Sequence, residues 1–455
     1  MAFVRVPPDG AGKKVYTKSH TVGADNVEAQ MFHQVDGANP LNIQAVDQYG
    51  AASISFFEGP PSLSGFGALN VSNKSLLASY AGASRNNDKQ FAITLANGGT
   101  STYDDVSKST ILQTTAVSGS RVARCSHFYH PYIPGSSNKI LMSLGCGDTG
   151  TANNIRRWGA FDASDGVYFE LDGTTLYAVI RSSTTGSVVE TRVAQSSWNG
   201  DMLDGNGLSG ETLDVSKLNI YWIDYQWLGA GRVRFGVFGE DGKRLVCHSF
   251  YNANANTVPY MRTGTLPIGT ENVNTGLASQ GVTLREVCIA VYTEGEFEDY
   301  VYDRSADLTV PFLSYGAGET PVSAIRAAPT LTGNFHNPVT TFFDAIAVYT
   351  EQPCKLTLYD DVTVVSGTWS AVSSGSSLEK IGLPVLTGLD HPYGVAYIES
   401  GVDILNLSDI FEINDLGIRL NADGTSRPWA LTVQPLGNYT GVNMQIDITY
   451  KELWA

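Results

Sequence analysis

Two strand-like runs carry the residues best suited by type and spacing to do chemistry. In Phe169-Glu170-Leu171-Asp172 the period-two alternation of a strand puts Glu170 and Asp172 on one face, the arrangement by which jelly-roll glycosidases aim two carboxylates into a cleft. Gly173-Thr174-Thr175 follows and supplies no third carboxylate, and Asp172-Gly173 reads as a turn, so a hairpin bearing a solvated acid is favoured over hydrolysis. In the run 219–238, Asp224 and Gln226 alternate with Tyr225 and Trp227, and Arg232 and Arg234 return beyond Leu228-Gly229-Ala230-Gly231. A pyranose presents an apolar face and a ring of hydroxyls, so Trp222, Asp224, Gln226, Trp227 and Arg234 form a candidate glycan groove. A sandwich core with polar pairs between strands accounts for the same residues. Register decides between neighbours: a three-residue loop sets Gln226 opposite Arg234, and a four-residue loop sets Tyr225 there.

Other constellations are weaker. The loop 201–214, Asp-Met-Leu-Asp-Gly-Asn-Gly-Leu-Ser-Gly-Glu-Thr-Leu-Asp, is rich in oxygen ligands, but counting from Asp204 an EF-type pattern fails at Leu208, so an ordinary surface loop is expected. His127 and His130 lie three apart, which on a strand points them to opposite faces and argues against a metal edge. Gly145-Cys-Gly-Asp-Thr-Gly150 lacks the Lys-Ser/Thr of a phosphate loop, and there is no Gly-x-Ser-x-Gly elbow. Cys125, Cys146, Cys247, Cys288 and Cys354 are widely spaced, mostly in apolar runs, and read as free buried thiols. No catalytic set, metal site or cofactor is therefore assigned, and the chain is not expected to be an enzyme.

The elements that must position these residues are strands. From about 81 to 303 short alternating runs end at turn dipeptides: 91–95 at Asn97-Gly98, 167–171 at Asp172-Gly173, 235–238 just before Asp241-Gly242. The pair 167–181 reads as a hairpin, and 188–193, the Trp222 run and 287–292 continue the series toward a sandwich or jelly roll. Residues 1–80 are broken by Pro7-Pro8, Gly59-Pro60-Pro61 and Gly65-Phe66-Gly67, with 51–57 the main strand candidate, and read as an irregular assembly or anchoring arm. A loose joint at 304–320 opens a C-terminal β-sandwich over 304–455, with strands at 342–349, 354–359, 394–399, 430–434 and 444–450 and a short helical candidate at 404–411. The fold class is all-β.

Composition agrees. The chain has 455 residues, enough for two or three domains, with 47 Gly, 22 Tyr and only 16% charged residues, a profile of compact β proteins. Asp and Glu outnumber Lys and Arg by 45 to 29, a net charge of −16 that disfavours a phosphate-tracking partner such as nucleic acid. There is no apolar run of about 18 residues and no signal-peptide layout at the start, so no membrane insertion is expected and synthesis in a cytoplasm is.

Phe66-Gly-Ala-Leu-Asn-Val-Ser72, Arg181-Ser-Ser-Thr-Thr-Gly-Ser187, Ser196-Ser-Trp-Asn-Gly-Asp201, Leu203-Asp-Gly-Asn-Gly-Leu-Ser-Gly210 and Ile223-Asp-Tyr-Gln-Trp-Leu-Gly-Ala-Gly-Arg-Val-Arg-Phe-Gly236 occur in that order. In this the chain resembles a family of tailed-bacteriophage virion proteins over 57–295. One departure lies at Leu63-Ser-Gly-Phe-Gly67, where the family usually reads Phe-Asp-Ala-Phe-Gly. The resemblance implies a concanavalin-like jelly roll in the centre and a structural role in the virion as a fibre, spike, head decoration or tail-attached protein. The partners implied are other capsid or tail proteins and further copies of the chain, a trimer by analogy, with contact to host-surface glycans as an added role. Carbohydrate-binding module and jelly-roll glycosidase are the alternatives.

Overall fold

The computed structural model describes residues 74–82, 90–294, 318–331 and 335–453, apart from 338, 391, 408–416, 422–423 and 438–443, and in addition the strands Phe3–Arg5, Lys14–Val22, Asp25–Met31, Ala45–Val46, Ala52–Ser53 and Tyr302–Asp307. Residues 1–71 are grouped in one unit with Gly242–Arg244. It is not wholly irregular: Phe3–Arg5, Lys14–Val22 and Asp25–Met31 make an antiparallel sheet in that order. The strand expected at 51–57 is confined to Ala52–Ser53 among the described residues, paired with Ala45–Val46.

The central domain is a two-sheet antiparallel sandwich. Among the described residues, one sheet has seven strands in the order Val189–Ala194, Thr175–Ser182, Gly166–Asp172, Asn154–Phe161, Leu266–Asn274, Arg121–His130 and Phe91–Ala96. The facing sheet runs Arg244–Tyr251, Arg232–Phe238, Asn219–Tyr225, Asn138–Gly145, Thr283–Glu294, Ser109–Gln113 and Thr100–Asp104, with Lys74–Ala81 on the other part of Thr283–Glu294. The boundary expected at 80 therefore moves to the start of the 72–455 unit, because Lys74–Ala81 is a sheet strand and not part of the arm.

Period-two patterning explains the core. Trp158, Phe169, Tyr221 and Phe235 meet between the sheets with centroids 5.0 to 5.3 Å apart for Trp158–Tyr221, Phe169–Tyr221 and Phe169–Phe235, in edge-to-face geometry. Each such pair adds about 0.5–1.5 kcal/mol to the burial term. The interior also holds an ion pair, since Arg124 from one sheet bonds Glu286 from the other, lies 3.4 Å from the centre of the Phe91 ring, and Thr270 Oγ1 donates to the same carboxylate at 2.7 Å. Asn272 Nδ2 donates to Leu112 O and Val282 O, satisfying carbonyls that would otherwise be stranded inside.

Two turns differ in detail from expectation. The 166–182 hairpin pairs Asp172 with Thr175, so its turn residues are Gly173 and Thr174, with Gly173 at φ +57°. In the 219–238 hairpin Asp224 stands opposite Arg234, which neither loop length considered above produces. Gln226 N donates to Arg232 O and Gly231 N to Trp227 O, closing a five-residue loop in which Leu228 and Gly229 both take positive φ.

The C-terminal domain is a second sandwich. Its sheets run Tyr302–Asp307, Met444–Leu453, Thr340–Thr350, Gly401–Asn406, and Ser370–Ala371, Leu378–Gly382, Thr320–Ala327, Trp429–Pro435, Cys354–Tyr359, Pro392–Ile398. The helix expected at 404–411 is corrected: Gly401–Asn406 is a strand in register with Thr340–Thr350, and 408–411 lies outside the described residues. The run Ile404-Leu405-Asn406-Leu407 suits an edge strand as well as a helical turn, so pattern alone misassigns it. Tyr302–Asp307 pairs with Met444–Leu453, so this sandwich begins slightly before 304.

The two sandwiches share one compact unit and meet at Arg121–His130. Arg419 is buried, donates from Nη1 to Tyr129 O at 3.1 Å and Thr340 Oγ1 at 3.3 Å, and stacks 3.9 Å from the Phe128 ring centre. Phe128 packs on Phe342, and His127 Nδ1 lies 3.2 Å from Asn421 Oδ1.

Candidate functional site

The outer face of the seven-stranded sheet gathers the most ionisable chemistry in the described residues. Glu170 and Asp172 do share that face, as their spacing predicts, because Phe169 and Leu171 between them enter the core. They do not stand free. Arg192 bonds Glu170 and also donates to Asp172 Oδ2 at 2.8 Å, Arg157 Nε donates to Glu170 Oε2 at 2.6 Å, Arg157 Nη1 to Glu271 Oε2 at 2.7 Å, and Arg121 Nε to Glu271 Oε1 at 2.6 Å.

The result is a neutral zipper of three arginines and three carboxylates, running Asp172, Arg192, Glu170, Arg157, Glu271, Arg121 across the sheet. Strand register makes it: Glu170, Arg157, Glu271 and Ala123 are direct cross-strand neighbours on one row. Glu170 is 0% exposed and Glu271 6%. Burial pushes the Glu271 carboxyl up, but Arg157 and Arg121 together hold it below the ordinary glutamate value. The guanidinium of Arg157 is correspondingly raised against its own desolvation by Glu271 and Glu170. A general acid needs an open approach to its substrate, and the buried Glu170 and Glu271, each held by two arginines, offer none.

A second cluster lies one row away. Tyr168 Oη donates to Glu190 Oε1 at 2.7 Å, Arg181 donates to the same oxygen at 2.8 and 3.0 Å, and Arg181 sits 5.1 Å from the Tyr168 ring centre. Gly159 and Gly269 face each other beside it; a Cβ on Gly159, at φ +153°, would meet Val167 O at 2.4 Å, and one on Gly269 would meet Cys125 Sγ at 2.5 Å. The two glycines let Tyr168 and Cys125 lie flat on the sheet.

The candidate groove residues divide. Trp222, Asp224 and Arg234 come together on the outer face of the eight-stranded sheet, where Arg234 donates two bonds to Asp224 at 2.7 and 2.6 Å and Trp222, 2% exposed, donates Nε1 to Val237 O. Lys139 Nζ covers the Trp222 ring at 5.1 Å. Gln226 and Trp227 lie beyond the strand end; Gln226 is buried, while Trp227 is half-buried, donates Nε1 to Met261 O at 2.9 Å and meets Tyr132 edge-on at 6.0 Å. The five are thus split between a filled surface cluster and a loop base.

In the loop 201–214 the carboxylates serve the backbone: Asp201 accepts from Leu203 N and Ser209 N, and Asp204 from Asn206 N. Among the described residues no group of three His, Cys, Asp or Glu side chains is arranged to hold a metal, and no helix is long and apolar enough to cross a membrane. His127 and His130 have different partners, Asn421 for the first and Leu266 O with Tyr80 Oη for the second. All five cysteines are free, Cys288 half-buried and the others buried, with burial raising Cys125 to about 12 and Cys146 to about 11.

The zipper was not visible beforehand. Arg121, Arg157, Arg192 and Glu271 are scattered over 150 residues, and the available signal was only that each sits at an outward strand position.

No protein-family model matches the chain, and no curated protein matches it. Among solved structures, the chain is similar to a protein of unknown function from Shewanella oneidensis MR-1, with 10% identity, 50% of this chain and 89% of that one covered, and a TM-score of 0.34. It is similar to arcelin-5, a lectin-like defence protein from Phaseolus vulgaris, with 10% identity, 48% and 99% covered, and a TM-score of 0.30. A lectin from Bauhinia forficata in complex with GalNAc is similar at 12% identity, 49% and 99% covered, and a TM-score of 0.30.

Proposed function

We propose that the chain is a structural component of a tailed-phage virion, built for protein–protein assembly and not for catalysis. The observation that carries this reading is the ordered set of motifs from Phe66 to Gly236, in which the chain resembles tailed-phage virion proteins. The geometry supports it in a specific way: the ionisable side chains that could have formed a reactive site are spent on one another, as in the Asp172-to-Arg121 zipper, which stiffens a sheet at no net charge. A fibre, spike, head decoration or tail-attached subunit needs that rigidity. Residues 1–71 serve as the anchoring unit, to the capsid or tail or to further copies of the chain, with three copies as the working stoichiometry. Mass spectrometry of gradient-purified particles from the phage that encodes the chain is expected to find it at tens of copies or fewer per tail, or hundreds per head. Its absence from intact particles would remove the proposal.

A second role, contact with host-surface glycans, rests on Trp227, whose half-buried indole closes the base of a loop carrying the exposed Leu228. Trp227→Ala is expected to lower adsorption to host cells, or glycan-array signal, by at least tenfold while leaving particle incorporation intact. Unchanged adsorption would end this second role and leave the structural one standing.

A further inference from the structure

Among the described residues the C-terminal sandwich has one side along which no strand joins its two sheets. Pro392–Ile398 ends one sheet and Gly401–Asn406 ends the other, and the chain passes between these edges through Glu399 and Ser400. Between the two edges lies a cavity of about 260 Å³ whose walls include Ile346, Leu356, Leu358, Tyr393, Leu405 and Leu431. Every one of its ten lining residues is apolar except for the Tyr393 hydroxyl. The wall is ordered by packing: Tyr393 meets Trp429 edge-on at 5.0 Å, and Leu356, Leu431 and Ile346 are core residues at 2–3% exposure. The edge strands themselves expose Val395, Tyr397, Val402 and Ile404 at 47–75%.

Native interiors rarely leave voids larger than a water molecule, and an apolar void of roughly 150 Å³ stays dry and takes up benzene. A cavity of about 260 Å³ has room for a bicyclic ring system. Its lining disfavours sugars, because a pyranose brings several hydroxyls inside, each surrendering a water hydrogen bond at a cost of about 1–3 kcal/mol, and the only side-chain partner on the wall is the Tyr393 hydroxyl. It excludes ions on the stronger form of the same argument. We infer that this cavity is a binding site for a small, uncharged, flat apolar molecule of about bicyclic aromatic size, independent of the assembly role proposed above.

The test uses the full-length protein and two probes, N-phenyl-1-naphthylamine by fluorescence and naphthalene by thermal shift. Saturable 1:1 binding of the dye and a concentration-dependent rise in Tm with naphthalene are expected. Ala396→Leu, which grows a side chain into the cavity, is expected to weaken dye binding at least tenfold and to leave Tm without naphthalene equal or higher. Should Ala396→Leu not fold, Leu405→Phe fills the same space from the opposite edge and is read in the same way. Binding that is not saturable, or equal in the native and filled proteins, overturns the inference. So does dye binding that disappears as the protein self-associates, because the edges would then be covered by a second copy.

Discussion

Arg157→Leu is expected to lower the free energy of unfolding by about 3–5 kcal/mol, the cost of leaving a buried charge without its partner. Arg157 is the centre of the zipper: it donates to Glu170 at 2.6 Å and Glu271 at 2.7 Å, and those carboxylates are 0% and 6% exposed. Glu170 keeps Arg192 and Glu271 keeps Arg121, but both remaining arginines are at the margins, with side chains 32% and 38% exposed. The measurement is equilibrium unfolding in urea. The triple change Arg157→Leu, Glu170→Leu, Glu271→Leu is expected to recover most of the loss, since it removes the stranded carboxylates and leaves Arg192 and Arg121 hydrated. A loss below about 1 kcal/mol for Arg157→Leu would mean that the row is a solvated surface and not a desolvated zipper.

Acidification is expected to destabilise the protein steeply between pH 6.5 and 4, through the strand where the two sandwiches meet. Burial lowers His130 to about 3, and burial together with Arg427 lowers His127 to about 4, both from 6.5. His130 explains the direction atom by atom: a proton on Nδ1 suits the Leu266 carbonyl at 3.2 Å, which leaves Nε2 to accept from Tyr80 Oη at 3.3 Å. A second proton would add a buried cation near Arg419. A depressed folded pKa means that the unfolded chain takes up a proton below 6.5 which the folded one refuses until about 4 or 3. Stability from these groups is therefore complete above pH 6.5 and lost as pH falls through that window. His248, also lowered by burial, acts in the same sense.

Near pH 5.5 the two joint histidines contribute close to two protons, so the unfolding free energy should fall by about 2.5 kcal/mol per pH unit from them alone. His130→Gln, which keeps a donor and an acceptor but no titration, is expected to reduce that slope by about 1.4 kcal/mol per pH unit, one proton's worth. The slope is the diagnostic, because the substitution also changes absolute stability. An unchanged slope would show that His130 titrates as if exposed. Below pH 4.5 the lowered carboxyls of Glu271 and Glu190 extend the loss, their stabilisation being present above the ordinary glutamate value and fading under it.

How much of this was legible in the sequence depends on the range of the interaction. Alternation over Gly166–Asp172 and Asn219–Tyr225 is local, so strand identity and the shared face of Glu170 and Asp172 followed from period two alone, whereas which face turns inward did not. Edge positions were harder: Gly401–Asn406 has too little alternation to tell a strand from a helical turn, and Lys74–Ala81 was taken into the arm because its partner, Thr283–Glu294, is over 200 residues away. The 219–238 hairpin shows the limit most clearly. Its aromatic and polar composition was plain, yet whether Asp224 met a ligand or Arg234 turned on a register set by Leu228 and Gly229 in positive φ, which no alternation encodes.

By itself the sequence determined an all-β chain built of sandwiches and a cysteine set without disulfide logic. Only the tertiary structure decided which charges neutralise one another, that Arg419 and Phe128 join the two sandwiches, and that the second encloses an apolar cavity. The physical reason is one of distance along the chain. Hydrophobic alternation is written within a few neighbouring residues, whereas ion pairs such as Arg157–Glu271 and Arg121–Glu271 form between strands more than 100 residues apart, and their existence depends on sheet order and register that the whole fold sets at once.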